Sequence, residues 1–118
     1  MLVATRFRVP PGEDEAFRTA AEDLLTLLGS LTGFVRGHLG RAPDEPDLWV
    51  LMTEWSGVGD YRRALSAYDV KMTAPAVMAH AIPEPSAYEV LVRVPGGDGA
   101  SGDWAGDQTG VLGVDVDR

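Results

Sequence analysis

The chain has 118 residues, 45% of them hydrophobic and 24% charged, which is enough for one domain with its own core. Eighteen acidic residues against ten basic give a net charge of −8, which has little to offer a phosphate backbone and argues against nucleic acid or an anionic membrane as partner. There is no cysteine, hence no disulfide or thiol nucleophile; no run reaches the roughly 18 apolar residues of a spanning helix, and the first residues lack the order of a signal peptide, so a cytoplasmic location is expected.

Residues Leu2 to Val9 alternate, with Val3, Thr5, Phe7 and Val9 on one face, and read as a first strand stopped by Pro10, Pro11 and Gly12. Phe17, Ala20, Ala21, Leu24, Leu27, Leu28 and Leu31 then recur at steps of three and four on one stripe of a helix. Glu13, Asp14 and Glu15 crowd its first turn, where carboxylates favour the positive end of the helix dipole. Phe34 to Arg41 reads as a second strand interrupted by Gly37 and Gly40, and the turn APDEPD returns the chain antiparallel. Leu48 to Met52 are apolar at consecutive positions, which suits a central strand covered on both faces and ending at Trp55. Gly57 and Gly59 break that pattern, and Asp60 is placed to cap a helix carrying Tyr61, Leu65 and Tyr68 on one face. Pro75 lacks an amide, so this helix is expected to kink or divide before Ile82. Ser86 to Val94 reads as a fourth strand, with Tyr88, Val90 and Val92 on one side.

The order βαββαβ predicts an α+β domain over residues 1–94, ferredoxin-like with an antiparallel sheet. Two helices cover one face of such a sheet, and a second subunit is expected to cover the other. Residues 95–118 are rich in Gly and Asp and read as a tail, with a short strand conceivable in the closing VLGVDVDR.

The run TEWSGVGDYRRAL, a strand ending in Glu-Trp, a short turn and an amphipathic helix, resembles the antibiotic biosynthesis monooxygenase family. The resemblance spans roughly residues 2–92 and implies a ferredoxin-like subunit paired in a dimeric α+β barrel. Its pattern is similar to that of the cofactor-free quinone-forming oxygenases of aromatic polyketide pathways, where a Trp ends the third strand and a Tyr-Arg pair follows six residues later. Trp55, Tyr61 and Arg62 stand at that spacing. The resemblance implies an aromatic phenol or anthrone as substrate, dioxygen as oxidant, no metal or flavin, and a homodimer. The protein then supplies a pocket, a proton acceptor and donors for the anion. The same aromatic residues would serve equally as core.

The sequence departs from the family at defined places. It has no asparagine: Thr5 stands at the place of the family's first-strand Asn and Leu51 at the place four residues before Trp55. The His that many members carry nine residues after the Trp is Ala64, which removes the axial ligand that haem degradation requires. His38 and His80 are left as the bases that titrate near neutrality. His80, in the apolar, Met-rich stretch MTAPAVMAHAI, is the preferred pocket base, with Trp55 and Tyr61 as its catalytic companions. Thr5, His38, Leu51, Tyr68 and Met72 are the expected substrate contacts. Neither histidine sits at metal-binding spacing. A polyketide cyclase on the same fold, or a binding protein without turnover, fits the same residues and stays open.

Overall fold

Alternation along two strands decides how the sheet faces its helices. The computed structural model describes residues 1–97. In it Leu2–Arg8 (β1) pairs antiparallel with Leu48–Trp55 (β3), in a register that sets Val3 opposite Thr53, Thr5 opposite Leu51 and Phe7 opposite Trp49. These positions share one face because side chains alternate along a strand. All but Thr5 are buried there. Phe34–Arg41 (β2) lines the other side of β3, and Ala87–Tyr88 (β4) the other side of β1, giving the order β2-β3-β1-β4.

Three helices cover the buried face: Asp14–Gly29 (α1), Val58–Ser66 (α2) and Tyr68–Met78 (α3). Helix α1 presents Phe17, Ala21, Leu24 and Leu28, the stripe expected from the sequence, and Phe17 meets Phe7 and Trp49 with ring centroids 5.1 and 5.2 Å apart. Gly37 lets this packing close, since a Cβ there would lie 2.6 Å from a Leu25 methyl. The result is the open antiparallel sheet with helices on one side that defines an α+β, ferredoxin-like subunit.

Several expectations are corrected in detail. Strand β3 is central, but within one chain only one of its faces is buried, because every element that packs on the sheet lies on the same side. The helix after Trp55 begins at Val58 with the extended Gly57 as its cap; Asp60 falls in its first turn, where its carboxylate accepts from Ser56 and Arg63 instead of from the helix amides. The division comes at Ala67, extended at ψ 137, and not at Pro75, which α3 accommodates at an exposed position. Strand β4 is two residues long where nine were expected, because its partner runs out: Tyr88 pairs with Leu2, the first residue of β1. Residues 89–97 continue without a ladder, and the strand expected near the C-terminus lies outside the described residues.

Candidate functional site

The exit of β3 is held by three backbone hydrogen bonds to Met1 and Gly33. The Trp55 amide donates to the Met1 carbonyl at 2.8 Å and the Met1 amino group donates back to the Trp55 carbonyl at 2.9 Å. The Ser56 amide donates to Gly33, whose φ of +88° is the left-handed region that glycine enters without strain. Gly33 is also required sterically, since a Cβ there would fall 2.3 Å from Cβ of Asp60.

Trp55 itself is 1% exposed. Its indole Nε1 donates to Oγ1 of buried Thr53 at 2.9 Å, which fixes the ring plane. Phe34 meets the ring edge-on at 5.3 Å, and Tyr61 leans against it at 5.9 Å and 51°. Half-burial raises the pKa of the Tyr61 phenol, so this group is a neutral donor at physiological pH. Below it, Asp60 is held beneath the usual carboxylate range by the Ser56 hydroxyl and by Arg63.

A bulge opens the surface beside this aromatic cluster. Phe34 pairs with Trp55 and Arg36 with Glu54, so Val35 is an extra residue against the shorter strand. A groove of about 1030 Å³ lies there, walled by Val35, Val58, Trp55 and the C-terminal segment at Val90–Val92. Its floor is charged. Glu54, with a side chain only 14% exposed, is bridged by Arg36 at 3.1 Å and by Arg93, which reaches in from the C-terminal segment. Sequence reasoning missed these three residues; the signal available was a carboxylate interrupting the apolar run LWVLMTEW.

The structure brings only part of the expected set together. Trp55 and Tyr61 touch, and Thr5 faces Leu51 across the ladder at mid-sheet on the helix side. His80 is elsewhere. Its carbonyl accepts from the Arg8 amide, at the far end of β1 from Met1 and Trp55, a separation of about 23 Å at 3.3 Å per residue. There its ring stands edge-on to Phe17 at 5.6 Å, with Nε2 3.7 Å from a Glu13 carboxylate oxygen. Tyr68 and Met72 are 73% and 63% exposed on α3 and wall no part of the groove. His38 pairs with Met52 and stands on the open face of the sheet, the same side as Arg36 and one strand repeat away, about 7 Å. Among the described residues no three His, Asp or Glu side chains gather as a metal-binding group.

The fold and the β3 exit place the chain among small α+β proteins of ferredoxin-like design. Residues 1–73 match the family model for antibiotic biosynthesis monooxygenase, and the chain belongs to that family. No curated protein sequence matches it. Among solved structures it is similar to SnoaB, a cofactor-independent oxygenase from Streptomyces nogalater, at 25% identity and a TM-score of 0.64 over 78% of this chain and 96% of that one. A point mutant of SnoaB superposes at a TM-score of 0.68 with 23% identity, over 80% and 96% of the two chains. A putative antibiotic biosynthesis monooxygenase from Nitrosomonas europaea shares the fold at 18% identity and a TM-score of 0.64, over 77% and 98%. Among the described residues no helix is long and apolar enough to cross a membrane.

Proposed function

We propose that this protein is a cofactor-independent monooxygenase that oxidises an aromatic, polyketide-type phenol or anthrone with dioxygen. The carrying observation is the family match over residues 1–73, which contains the packed Trp55–Tyr61 pair beside the groove. In the reaction a base removes a proton from the activated ring carbon, the resulting anion passes an electron to dioxygen, and a carbon–oxygen bond forms. Loss of water leaves a carbonyl, so one oxygen atom enters the product and the other leaves as water, with the substrate's own electrons as reductant. Trp55, buried behind the groove, holds the β3 exit in shape, and guanidinium donors stabilise the anion. His38 is the base in this reading: it stands outside the groove's own lining but on the same sheet face as Arg36 and Glu54, one strand repeat away, while His80 lies at the other end of β1. Tyr61 positions the Trp55 ring.

The reading includes a homodimer. The sheet face opposite the helices leaves Leu2, Val50 and Met52 half-buried, and Leu91, beyond the end of β4, is 83% exposed. A second copy would cover both, and sedimentation at micromolar concentration tests it. A binding protein without turnover is favoured by one observation: buried Ala64 stands where the family resemblance expects a histidine.

The test is dioxygen uptake by metal-stripped protein with anthrones and naphthols, read with product mass. The expected result is stoichiometric uptake with one oxygen gained, at least tenfold slower in Trp55→Ala. Ring closure without uptake would make the protein a cyclase.

A further inference from the structure

The segment that borders the groove has unused edges. Residues 89–97 neither turn nor bend, and among the described residues their backbone N–H and C=O groups make no backbone hydrogen bond. Yet residues 89–94 read EVLVRV, with the β-branched content of a strand, and Leu91, Val92 and Val94 are 83%, 79% and 82% exposed. Free backbone groups beside exposed apolar side chains form a template for pairing with another strand. The segment is also chemically symmetric about Leu91: read outward, Val90 answers Val92 and Glu89 answers Arg93. Two copies running antiparallel about a two-fold axis at Leu91 would set Glu89 opposite Arg93 of the partner subunit at both ends, with Val90 opposite Val92 and Tyr88 opposite Val94. Opposite charges and apolar pairs directly across a ladder both favour that register, whereas a slip of one or two residues either way sets both charges against uncharged neighbours. Among the described residues Glu89 has no ion pair or hydrogen bond, and Arg93 donates to Glu54 through one nitrogen only and is 58% exposed. Pro95, which has no amide, ends the run.

We propose that residues 88–94 pair with the same residues of a second copy, in an antiparallel ladder centred on Leu91. The occupant is a second copy because the segment complements itself in charge and in apolar pattern. Arg93 ties the segment to Glu54, whose neighbours Val50 and Met52 share the open face of the sheet, so the second copy stands on the side that a single chain leaves uncovered. Val90 to Arg93 also wall the groove, so the partner's strand runs along that wall and each groove is bordered by both copies. The inference rests on the homodimer proposed above and specifies the contact through which it forms.

The chain has no cysteine, so a single introduced one reports the register. Residues directly opposed in an antiparallel ladder have Cα atoms about 4.5–5.5 Å apart, inside the disulfide range of about 4.4–6.8 Å. Leu91→Cys meets its own copy at the axis. Val92→Cys, one position on and similarly exposed, is offset from its copy by two residues, about 8 Å between Cα atoms, which is beyond bridging. Each full-length variant is held at micromolar concentration in a glutathione redox buffer, whose disulfide takes up the two electrons and two protons released, and the linked dimer is read by intact mass. Leu91→Cys is expected to link at least tenfold faster than Val92→Cys. Adding Glu89→Arg, which sets arginine opposite arginine, should slow that linking at least threefold. Equal rates at the two positions, faster linking at position 92, no linking at either, or no effect of Glu89→Arg overturns the proposal. A thermal melt confirms that each variant is folded; the substituted side chains are exposed, so folding should survive. Sedimentation of the wild type is read separately: a dimer without preferred linking at position 91 keeps the homodimer and removes this ladder, and a monomer removes both.

Discussion

Replacing Thr53 by Val keeps the shape of a buried side chain and removes the one acceptor that the Trp55 indole N–H has. A buried donor left without a partner costs about 1–3 kcal/mol. Exchanging a hydroxyl for a methyl returns up to about 0.8 kcal/mol of apolar burial, so the net loss should be about 1–2 kcal/mol. Urea unfolding followed by tryptophan fluorescence would read this as a fall in midpoint of about 1 M, taking a slope near 1–2 kcal/mol per M for a domain of this size. The informative arm is the same change made in Trp55→Phe protein. Phenylalanine has no N–H to strand, so Thr53→Val should there be neutral or mildly stabilising, giving a coupling of about 1 kcal/mol or more between the two positions. An equal cost in both backgrounds would show that the hydroxyl serves something other than Trp55, and the account of how the ring is held would fall. Trp49 sharpens the comparison: its Nε1 is buried with no partner among the described residues, so the fold tolerates one such donor and a second would be additional.

Gly33→Ala should cost about 2–4 kcal/mol, combining the left-handed backbone with a methyl driven against Asp60. Gly12→Ala, with φ +90° and open space around the new methyl, should cost only the backbone share, about 1–2 kcal/mol; equal melting temperatures for the two variants would refute the steric part. On the acid side, Arg6 donates to Glu84 at 2.7 and 2.8 Å and lowers its pKa beneath the ordinary 4.5, while Ser56 and Arg63 lower that of Asp60 beneath 3.8. A depressed folded pKa means that the unfolded chain binds protons first, so this stability is complete above about pH 4.5 and is lost as pH falls through the folded values. Melting temperature against pH should therefore drop below that point, less steeply in Glu84→Gln, and an unchanged profile in that variant would count against the Arg6 pair.

What the sequence by itself determined is everything that repeats with a local period. The α1 stripe from Phe17 to Leu28 and the side of β1 that carries Val3, Phe7 and Val9 follow from spacing, because burial on one side writes itself into every second or every third and fourth residue, and the bounds of β2 and β3 follow from the glycines and the turn APDEPD that punctuate them. The motif from Thr53 to Leu65 likewise carried the family. Tertiary structure alone decided what depends on residues far apart in the chain. Strand β4 stops at Tyr88 because β1 starts at Leu2, a limit that no property of the segment EVLVRV contains. Asp60 fails to cap α2 because Ser56 and Arg63 claim its oxygens. His80 had the apolar surroundings of a pocket base, yet the antiparallel course of β1 carries it to the end opposite Trp55. The cluster of Arg36, Glu54 and Arg93 joins strand β3 to a residue 39 positions further on, and it exists because a bulge at Val35 and the passage of residues 90–93 over the β3 exit bring three unremarkable charges to one place.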